Sequence, residues 1–454
     1  MRIRRELIFT AEDYVRLRTH LLSRAPAEEA AVLLAGASHT PTTVRLLVRE
    51  IHPVPVDGFA HRGSLTLSVD PNWYASLLRR CREEGWSFVL AHSHPFGADA
   101  SFSSIDDAGE QVLMPRLFQR APDRPHGAIV IGTERGSARI WLPGEHAGVL
   151  CDEIAVRGAQ FVSIRRRVSA DQAEIDDRVE RQVQALGVAG QAKLRDARIA
   201  IVGVGGVGSQ IYVLLKHLGC RRLTLLDPDR VERSNLSRLV YARQRDVGRL
   251  KVEVAAQVGA EILPDSDDLA IAGDITTAAG AGSLLDSDLV VIATDNLRSR
   301  LVASRIMAQY LIPVIDTGID IDAAEERIRA IGGRVTRLRP GAGCLSCIGI
   351  LDPVKLSEEI APRGYVQGAD VPAPSVVSLN GVVAALAVNE ILDYFTGYSD
   401  MDSVQPRSLV FDGRRQTVRA ITERERACGV CELVRAAGDL EKLPVIPTAR
   451  ITAA

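Results

Sequence analysis

The sequence predicts an α/β protein of two domains, the second of which is built on a mostly parallel sheet. Two observations lead to this fold class. From about residue 171 onward, apolar strand-like runs alternate with helix-like runs, which is typical of strand–helix–strand units. Up to about residue 142 a different succession of strand-like and helix-like runs is found, so a separate unit is expected there. A chain of 454 residues is long enough to bury more than one core.

Composition narrows the class of protein. Hydrophobic residues make up 46% and charged residues 25%, which excludes wholesale disorder. The formal net charge is −2, so no global basic field indicates a nucleic-acid partner. The longest apolar stretch, residues 375–388, is interrupted by Ser378 and Asn380, and neither a membrane span nor a signal peptide is predicted. Seven cysteines, four of them in two CxxC pairs, indicate metal ligands in a reducing cytoplasm.

The elements of the first domain are read from apolar runs and helix signals. Pro71 suits the first position of a helix, and the apolar run at residues 30–35 suits a buried strand. Strands are predicted over residues 30–35, 43–48, 86–92, 127–131 and 138–141, and helices over residues 71–84 and 106–118. We expect this domain to occupy residues 1–145 and a linker to follow over residues 146–172.

A metal site is predicted where the strand before the HSHP motif ends. Side chains alternate along a strand, so His92 and His94 point the same way and can hold one cation. The next loop returns Asp106 as a third ligand, and two His with one carboxylate leave a fourth position for water, as in catalytic zinc sites. A carboxylate must then shuttle the proton, for which Glu28 and Glu29 are candidates. An ordinary surface turn is the alternative.

The segment HSHP…SSID resembles the JAMM signature of the JAB/MPN metalloprotease domain, which cleaves at the C-terminus of ubiquitin-like proteins. The resemblance implies that the two histidines and Asp106 bind zinc, that Glu29 is the acid and base, and that Ser103 helps to stabilise the developing oxyanion. The spacing between the HxHP motif and the serine is one residue longer than is usual in the family. Ser104 and Asp107 are therefore the alternative pair.

The elements of the second domain follow the same reasoning. Its strands are predicted over residues 198–203, 222–227, 287–293 and 313–317, and its helices over residues 209–218, 252–263, 297–310 and 378–394. This alternation favours a parallel sheet with helices on both faces. We expect the domain to occupy residues 173–435 and to be followed by a C-terminal tail over residues 436–454.

A nucleotide site is predicted where the first of these strands runs into the letters IAIVGVGGVGS. Glycines let backbone N–H groups approach a phosphate, and a helix N-terminus favours negative charge. Gly203, Gly205 and Gly208 satisfy G-x-G-x-x-G, with Gly206 between them, and Asp227 ends the next strand. That fingerprint alone would predict an NAD-dependent dehydrogenase.

The polar residues that follow the fingerprint indicate a different reaction. Asn235, Arg238 and Lys251 would gather polar and positive groups around a triphosphate, and Asp227 would hold ribose hydroxyls. Asp295, at the end of another strand, suits a magnesium ion. Hydride transfer needs no such set, whereas adenylation spreads charge across an in-line displacement at the α-phosphate. Each residue alone has an ordinary structural reading, but together they predict that the protein uses ATP and Mg²⁺.

Residues 177–432, with ERQVQALGVAGQAKLRDARIAIVG near their start, resemble the adenylating domain of ubiquitin-activating enzymes and of their ThiF- and MoeB-type bacterial relatives. The resemblance implies that Arg181 contacts the ATP phosphates of the other protomer in a homodimer. It implies magnesium for Asp295, and it implies ATP contacts for Asp227, Asp229, Asn235, Arg238 and Lys251, of which the last two are also catalytic.

A structural zinc site is predicted from the CxxC pairs Cys344/Cys347 and Cys428/Cys431, since two such pairs in one cytosolic domain make a closed tetrahedral site. Many of the adenylating relatives carry a catalytic cysteine after the first pair, but residues 348–377 contain none. The three further cysteines are Cys81, Cys151 and Cys220. Adenylation is therefore predicted, and a thioester on this chain is not.

The two resemblances together predict a bifunctional enzyme of a prokaryotic ubiquitin-like conjugation system. The first domain would trim a precursor or remove conjugates, and the second would join the terminal glycine of the ubiquitin-like protein to AMP. The expected partners are that protein and a separate conjugating enzyme, with an antiviral pathway as a guess. The alternatives are adenylation of a small-molecule or RNA carboxylate, sulfur-carrier activation in cofactor synthesis, and a catalytically silent scaffold.

Overall fold

The computed structural model describes residues 2–63, 66–165, 176–324, 327–360, 374–399, 406–423, 428–429 and 431–446. These residues divide into two compact units. Unit 1 contains residues 1–172 together with two short later segments, Gln309–Leu311 and Val434–Lys442. Unit 2 contains the rest of the chain. The two-domain organisation expected from the sequence is thus present, with boundaries that differ in detail.

Unit 1 is an α/β structure around one large mixed sheet. The order of its strands is β11-β10-β1-β3-β2-β6-β7-β8-β9, and β4 and β5 form a separate hairpin. Its elements are β1 (Arg4–Thr10), α1 (Ala11–Leu21), β2 (Ala30–His39), β3 (Thr43–Pro53), β4 (Phe59–Arg62), β5 (Leu67–Val69), α2 (Pro71–Glu84), β6 (Ser87–Ser93), α3 (Ser104–Arg120), β7 (His126–Ile131), β8 (Gly136–Trp141), β9 (Val149–Leu150), β10 (Glu153–Arg157) and β11 (Phe161–Ser163).

The central strands of unit 1 bring the predicted metal ligands to one place. β2 and β6 are buried on both faces, which is why they read as continuous apolar runs. They pair antiparallel with Ala30 opposite His92, so the residues just before β2 lie beside the end of β6. The α2 helix starts at Pro71 as predicted, and the structure adds its caps: the Asp70 side chain accepts from the Asn72 N–H, and Gly85 ends the helix at φ 90°.

The predicted linker over residues 146–172 is wrong for most of its length. Residues 149–163 form β9, β10 and β11, and β10 pairs in parallel with β1 inside the unit 1 sheet. These strands have two, five and three residues, too few for a periodic pattern to stand out in the sequence. Residues 166–172 of the predicted linker lie outside the described residues.

The predicted C-terminal tail over residues 436–454 is also wrong for its first part. The segment Val434–Lys442 belongs to unit 1, where Gly438 bridges to Ala37 of β2 and the Asp439 carboxylate accepts a 2.8 Å bond from the His39 N–H. A Cβ placed at Gly36 would meet the backbone of Ala436 and Ala437, so the two segments are in close contact. Residues 447–454 lie outside the described residues.

We expect Arg435→Ala to lower the free energy of unfolding of unit 1 by about 1–3 kcal/mol, because it removes the nearer of the two arginines that face the buried Asp13 carboxylate, at 2.7 Å. Trp73, Trp86 and Trp141 are the three tryptophans of the chain and all lie in unit 1, so tryptophan fluorescence during urea unfolding reports on this unit. Arg16→Ala is the matched control: Arg16 also faces Asp13, at 3.8 Å, but is 66% exposed, and its loss should have little effect. Equal losses in both variants would contradict the integral role of the C-terminal segment.

Unit 2 contains a sheet with a parallel half and an antiparallel half. The strand order is β14-β13-β12-β15-β16-β17-β18-β19, parallel as far as β16 and antiparallel beyond it. Its elements are α4 (Glu180–Asp196), β12 (Arg198–Val202), α5 (Gly206–His217), β13 (Arg222–Leu226), α6 (Lys251–Ile262), β14 (Leu269–Ile271), α7 (Ala278–Gly282), β15 (Leu289–Ile292), α8 (Leu297–Tyr310), β16 (Val314–Ala324), β17 (Arg327–Leu338), α9 (Pro353–Ile360), α10 (Val377–Thr396), β18 (Arg407–Asp412), β19 (Thr417–Thr422) and α11 (Cys431–Val434).

The apolar helix α10 is a core helix of unit 2. By length and composition alone it could cross a membrane, since an 18-residue stretch of it has a mean hydropathy of 1.2. Half of that stretch is buried inside the protein. Its buried residues include polar ones, among them Asn380, Glu390 and Asp393. Glu390 and Asp393 pair with Arg337 of β17 at 3.2 and 2.8 Å, so α10 is held to the sheet by buried ion pairs as well as by apolar packing.

Candidate functional site

Unit 1 brings His92, His94 and Asp106 together. Nε2 of His92 lies 3.0 Å from Oδ1 of Asp106, and Nε2 of His94 lies 3.5 Å from its Oδ2. One possible ligand atom from each of the three residues lies within 4.8 Å of the others, close enough to bind a single ion. Burial lowers the pKa of His94, helped by the neighbouring His92, which favours the neutral imidazole that a metal requires. The donor set therefore fits a zinc ion with an open position.

The carboxylate beside this triad is Glu28, not Glu29, and the assignment of Glu29 made from the sequence is corrected. Oε1 of Glu28 lies 3.8 Å from Nε2 of His94. Glu29 instead pairs with Arg62 at 2.6 Å and with Arg24 at 3.5 Å. Both glutamates precede β2, outside the regular alternation of that strand, so a one-residue shift in register could not be resolved from the sequence.

The environment of Glu28 suits a proton carrier. The residue is 5% exposed, and burial raises the pKa of its carboxyl, while His92 lowers it and Asp106 raises it further. A carboxyl whose pKa is raised toward neutrality gives up and takes back a proton more readily near pH 7. Glu28 therefore has the position and the environment expected of the proton carrier, the role that was predicted for Glu29.

Asp106 and Asp107 have different partners. Asp106 faces the two histidines, whereas Asp107 forms an ion pair with Arg139 at 2.6 Å. Ser103 caps α3: its Oγ donates to Oδ2 of Asp106 at 2.8 Å and accepts from the Asp106 N–H at 3.2 Å. This capping box orients the Asp106 carboxylate. The contacts of Ser103 are thus positioning contacts, and its role toward an oxyanion stays a prediction.

The glycine-rich loop of unit 2 joins β12 to α5 as predicted. Gly203 adopts φ 86°, and a Cβ at Gly208 would clash with the Gly203 carbonyl, so both positions need glycine. Asp227, at the end of β13, accepts a 2.9 Å hydrogen bond from the Val204 N–H and another of 2.9 Å from the Asp229 N–H. Burial raises the pKa of Asp227, opposed by Lys251. Asp227 thus orders the loop and stands at the edge where a nucleotide would lie.

The positive groups predicted around the triphosphate lie on the segment after β13 and at the start of α6. Nζ of Lys251 is 2.7 Å from Oδ2 of Asp229, and the lysine side chain is only 11% exposed. Cδ of Arg238 lies 3.4 Å from the Cβ position of Gly206 in the glycine-rich loop, and Asn235, on the same segment as Arg238, is buried. Asp227, Asp229, Lys251 and Arg238 are therefore grouped around one loop.

Two residues of this neighbourhood were missed in the sequence. Asn380 of α10 lies directly against Gly206, and its buried Oδ1 has no hydrogen-bond partner within the described residues. Thr294 lies against Gly203, with its Cγ2 3.0 Å from the Cβ position. A polar residue inside the apolar run of α10 was a visible signal for Asn380, whereas nothing in the sequence distinguished Thr294.

Asp295 and Arg181 are placed at exposed positions. Asp295 lies between β15 and α8 and is exposed, with Asn296 capping the helix by accepting from the Ser299 N–H at 2.8 Å. An exposed carboxylate next to Thr294 and the glycine-rich loop suits a hydrated cation. Arg181 is exposed in the first turn of α4, and its contact with another protomer stays a prediction.

The four cysteines of the CxxC pairs converge within unit 2. Five of the six Sγ–Sγ pairs lie between 3.2 Å, for Cys347 and Cys428, and 3.8 Å, for Cys344 and Cys347. In a tetrahedral zinc site each sulfur lies about 2.3 Å from the metal, which places the sulfurs at similar distances from one another. The cluster therefore fits a zinc ion. The other three cysteines, Cys81, Cys151 and Cys220, are all buried, and burial raises the pKa of each. A raised pKa disfavours the thiolate that a nucleophile needs.

A cavity of about 280 Å³ in unit 2 is not the nucleotide site. Its lining includes Arg178, Gln191, Lys216 and Arg221. Lys216 lies in the last turn of α5, whereas the glycine-rich loop lies at its first turn, so the cavity is at the opposite end of the helix. Nζ of Lys216 donates to Asp268 at 2.8 Å and to the Cys220 carbonyl at 3.0 Å, which satisfies it internally.

Unit 2 is similar in sequence to a known protein family and to several characterised proteins. The ThiF family model matches residues 179–432. The adenylyltransferase and sulfurtransferase uba4 of Aspergillus fumigatus is 30% identical over 253 residues, 55% of this chain and 50% of the relative. The ubiquitin-like modifier-activating enzyme 5 of Oryza sativa subsp. japonica is 30% identical over 223 residues, 46% of this chain and 50% of the relative. The chain spans about half the length of these relatives.

Solved structures give a weaker likeness. E. coli MccB with ATP is 22% identical, with a TM-score of 0.46, covering 57% of this chain and 75% of that chain. SeMet PaaA is 20% identical, with a TM-score of 0.43, covering 57% of this chain and 79% of that chain.

Proposed function

The chain belongs to the ThiF family, and from that membership we propose that unit 2 adenylates the C-terminal carboxylate of a ubiquitin-like protein. The observation that carries the proposal is the grouping of Asp227, Lys251 and Arg238 around a glycine-rich loop at the carboxyl edge of a parallel sheet. Such an edge is where α/β sheets bind nucleotides. The positive side chains would take a triphosphate, which a hydride-transfer site does not need.

The chemistry assigned to unit 2 is an in-line displacement at the α-phosphorus of ATP. An oxygen of the substrate carboxylate forms the new bond to phosphorus, and the bond to the bridging oxygen breaks, releasing pyrophosphate. Lys251 and Arg238 would stabilise the negative charge that builds up on the phosphate oxygens. Asp227 would hold the ribose, and Asp295 would hold Mg²⁺, which neutralises the leaving pyrophosphate. Arg181 would contribute from the partner protomer of a homodimer.

The substrate class is supported by the relatives. The rice relative is named as an activating enzyme of a ubiquitin-like modifier, and the Aspergillus relative as an adenylyltransferase and sulfurtransferase. Stimulation of ATP–pyrophosphate exchange by a ubiquitin-like protein ending in glycine tests this proposal. A small molecule or an RNA that stimulates the exchange in its place would favour the alternative acceptor.

We propose for unit 1 the activity of a zinc metallopeptidase that cleaves after the terminal glycine of the same ubiquitin-like protein. His92, His94 and Asp106 would hold the zinc ion, which lowers the pKa of a bound water to about 7. Glu28 would accept the water proton and hand it to the leaving amine. The support is geometric: three side chains that could bind one ion, and a buried carboxylate 3.8 Å from His94.

Two zinc ions per chain are expected, and they should differ in how readily they are lost. The four-cysteine site is closed and would be structural, whereas the His92/His94/Asp106 site has three protein ligands and should release zinc first to a chelator. Metal analysis during EDTA dialysis measures this. His94→Ala should reduce the content from two ions to one, with the fold retained. A content of one ion in both the wild-type protein and the variant would contradict the assignment.

A further inference from the structure

A buried ion pair lies behind the loop that carries Asp295. Asp316 of β16 has a side chain with 0% exposure, and its Oδ1 accepts a 2.8 Å hydrogen bond from Nε of Arg300 in α8. Removing two charges from water costs several kcal/mol per ion, so such a pair often stabilises no more than an apolar pair of the same size. Its other contacts point to a role beyond packing.

Arg300 also donates hydrogen bonds to the backbone. Its Nη2 donates to the carbonyl oxygen of Thr294 at 3.2 Å and to that of Thr317 at 3.1 Å. Thr294 follows closely after the end of β15, and Thr317 lies in β16. One guanidinium therefore ties the segment that follows β15 to the neighbouring strand β16. A planar, fork-shaped cation suits three acceptors spread in this way, whereas a lysine ammonium does not.

The tied segment is the one that presents Asp295. On its N-terminal side the Thr294 carbonyl is held by Arg300, and on its C-terminal side Asn296 caps α8. The backbone on both sides of Asp295 is thus fixed, while its carboxylate is exposed at the carboxyl edge of the sheet. Thr294 also touches Gly203, but that glycine is held independently by its N–H bond of 2.8 Å to the Leu226 carbonyl.

We infer that Arg300 is a positioning residue that holds Asp295 where its carboxylate binds the metal ion of the ATP complex. The inference rests on the proposed function, because it takes Asp295 as the metal ligand. Since Asp227 and Lys251 lie on other strands and helices, loss of Arg300 should weaken metal binding and leave nucleotide binding unchanged. Changes to the partners of metal ligands typically weaken metal affinity by about 10–100-fold.

Binding of Mn²⁺ to the ATP-loaded full chain, followed through the electron paramagnetic resonance of the free ion, tests this inference. Arg300→Ala alone would leave the buried Asp316 carboxylate without the arginine that it bonds. The informative variant is therefore Arg300→Met combined with Asp316→Leu, which replaces the ion pair by apolar side chains. Arg300→Lys is a second variant, which keeps the positive charge but lacks the planar guanidinium that bonds Asp316, Thr294 and Thr317 together. Both should lower Mn²⁺ affinity by about 10–100-fold, with ATP affinity in EDTA unchanged.

Arg334→Gln is the matched control. Arg334 of β17 also faces Asp316, and its side chain is 34% exposed. Nη2 of Arg334 lies 3.6 Å from Oδ2 of Asp316, whereas Nε of Arg300 bonds the other oxygen, Oδ1. Its loss removes a positive charge near Asp316 and leaves the ties to Thr294 and Thr317 in place. Mn²⁺ affinity should therefore be unchanged in Arg334→Gln. An equal loss in this variant would mean that net charge, not positioning, sets the affinity, and would overturn the inference.

Asp295→Ala separates failure of the inference from failure of the proposed function. If Asp295→Ala does not weaken Mn²⁺ binding, the metal assignment is wrong and both fail. If Asp295→Ala weakens it and the two Arg300 variants do not, only the positioning role fails. A parallel fall of ATP affinity in EDTA would also overturn the inference, because Arg300 would then support the whole site.

Discussion

Glu28→Gln is expected to lower cleavage of a ubiquitin-like precursor by about 10²–10⁴-fold while zinc stays bound. Glutamine has nearly the same shape as glutamate but cannot accept the proton of the attacking water or deliver it to the leaving amine. Glu28 is not one of the three predicted ligands, so metal content should be unchanged. Cleavage would be followed on gels, with a substrate that extends beyond its terminal glycine, and zinc by metal analysis of the same preparation.

Glu29→Gln is the matched control, because the two glutamates are neighbours and the substitution is the same. Glu29 pairs with Arg62 and Arg24 and does not face His94, so its loss should leave most of the cleavage activity. If Glu29→Gln abolishes cleavage and Glu28→Gln cleaves normally, Glu28 is not the proton carrier and Glu29 is. Normal cleavage by both variants would remove the proposed peptidase mechanism altogether.

Asp295→Ala is expected to reduce ATP–pyrophosphate exchange by at least about 10²–10³-fold, the usual cost of losing a group that stabilises transition-state charge. The loss should arise because Mg²⁺ on the leaving pyrophosphate is no longer held at the edge of the sheet. Asp295 is exposed, so its removal should not disturb the fold. Exchange of labelled pyrophosphate into ATP, with trimmed substrate supplied, measures this step apart from cleavage.

Asp267→Ala provides the control for that experiment. Asp267 is an aspartate of unit 2 outside the proposed site: it precedes β14 and so lies at the amino edge of the parallel strands, away from the glycine-rich loop. The exchange rate of this variant should equal that of the wild-type protein. Near-normal exchange by Asp295→Ala would show that magnesium is held elsewhere.

Much of the fold was predictable because its central strands are buried on both faces. The runs over residues 30–35, 127–131 and 289–293 are continuous and apolar, and each contains or lies in a strand of the structure. The antiparallel half of the unit 2 sheet was not predicted beyond β16. β19 is exposed at all six positions, so no alternation of buried and exposed residues marks it in the sequence.

The grouping of the candidate site residues was predictable where one short motif carries several of them. HSHP with the following aspartate, the glycine-rich loop, and the CxxC pairs each form the cluster that their spacing suggested. The sequence failed for residues whose position depends on tertiary contacts. Glu28 and Glu29 are identical neighbours in the sequence, and only the folded structure shows that Glu28 is the one that faces His94. Arg300 reaches its backbone partners only when β15 and β16 lie side by side.

We propose that this chain activates a protein carboxylate with ATP, and pyrophosphate exchange with matched substrates measures that activation. A panel of ubiquitin-like proteins ending in glycine would be compared with the same proteins amidated at the C-terminus. We expect exchange only with a member of the panel that has a free carboxylate, and we expect amidation to abolish it. Exchange that is unchanged by amidation, or absent with every free carboxylate in the panel, would contradict the proposal.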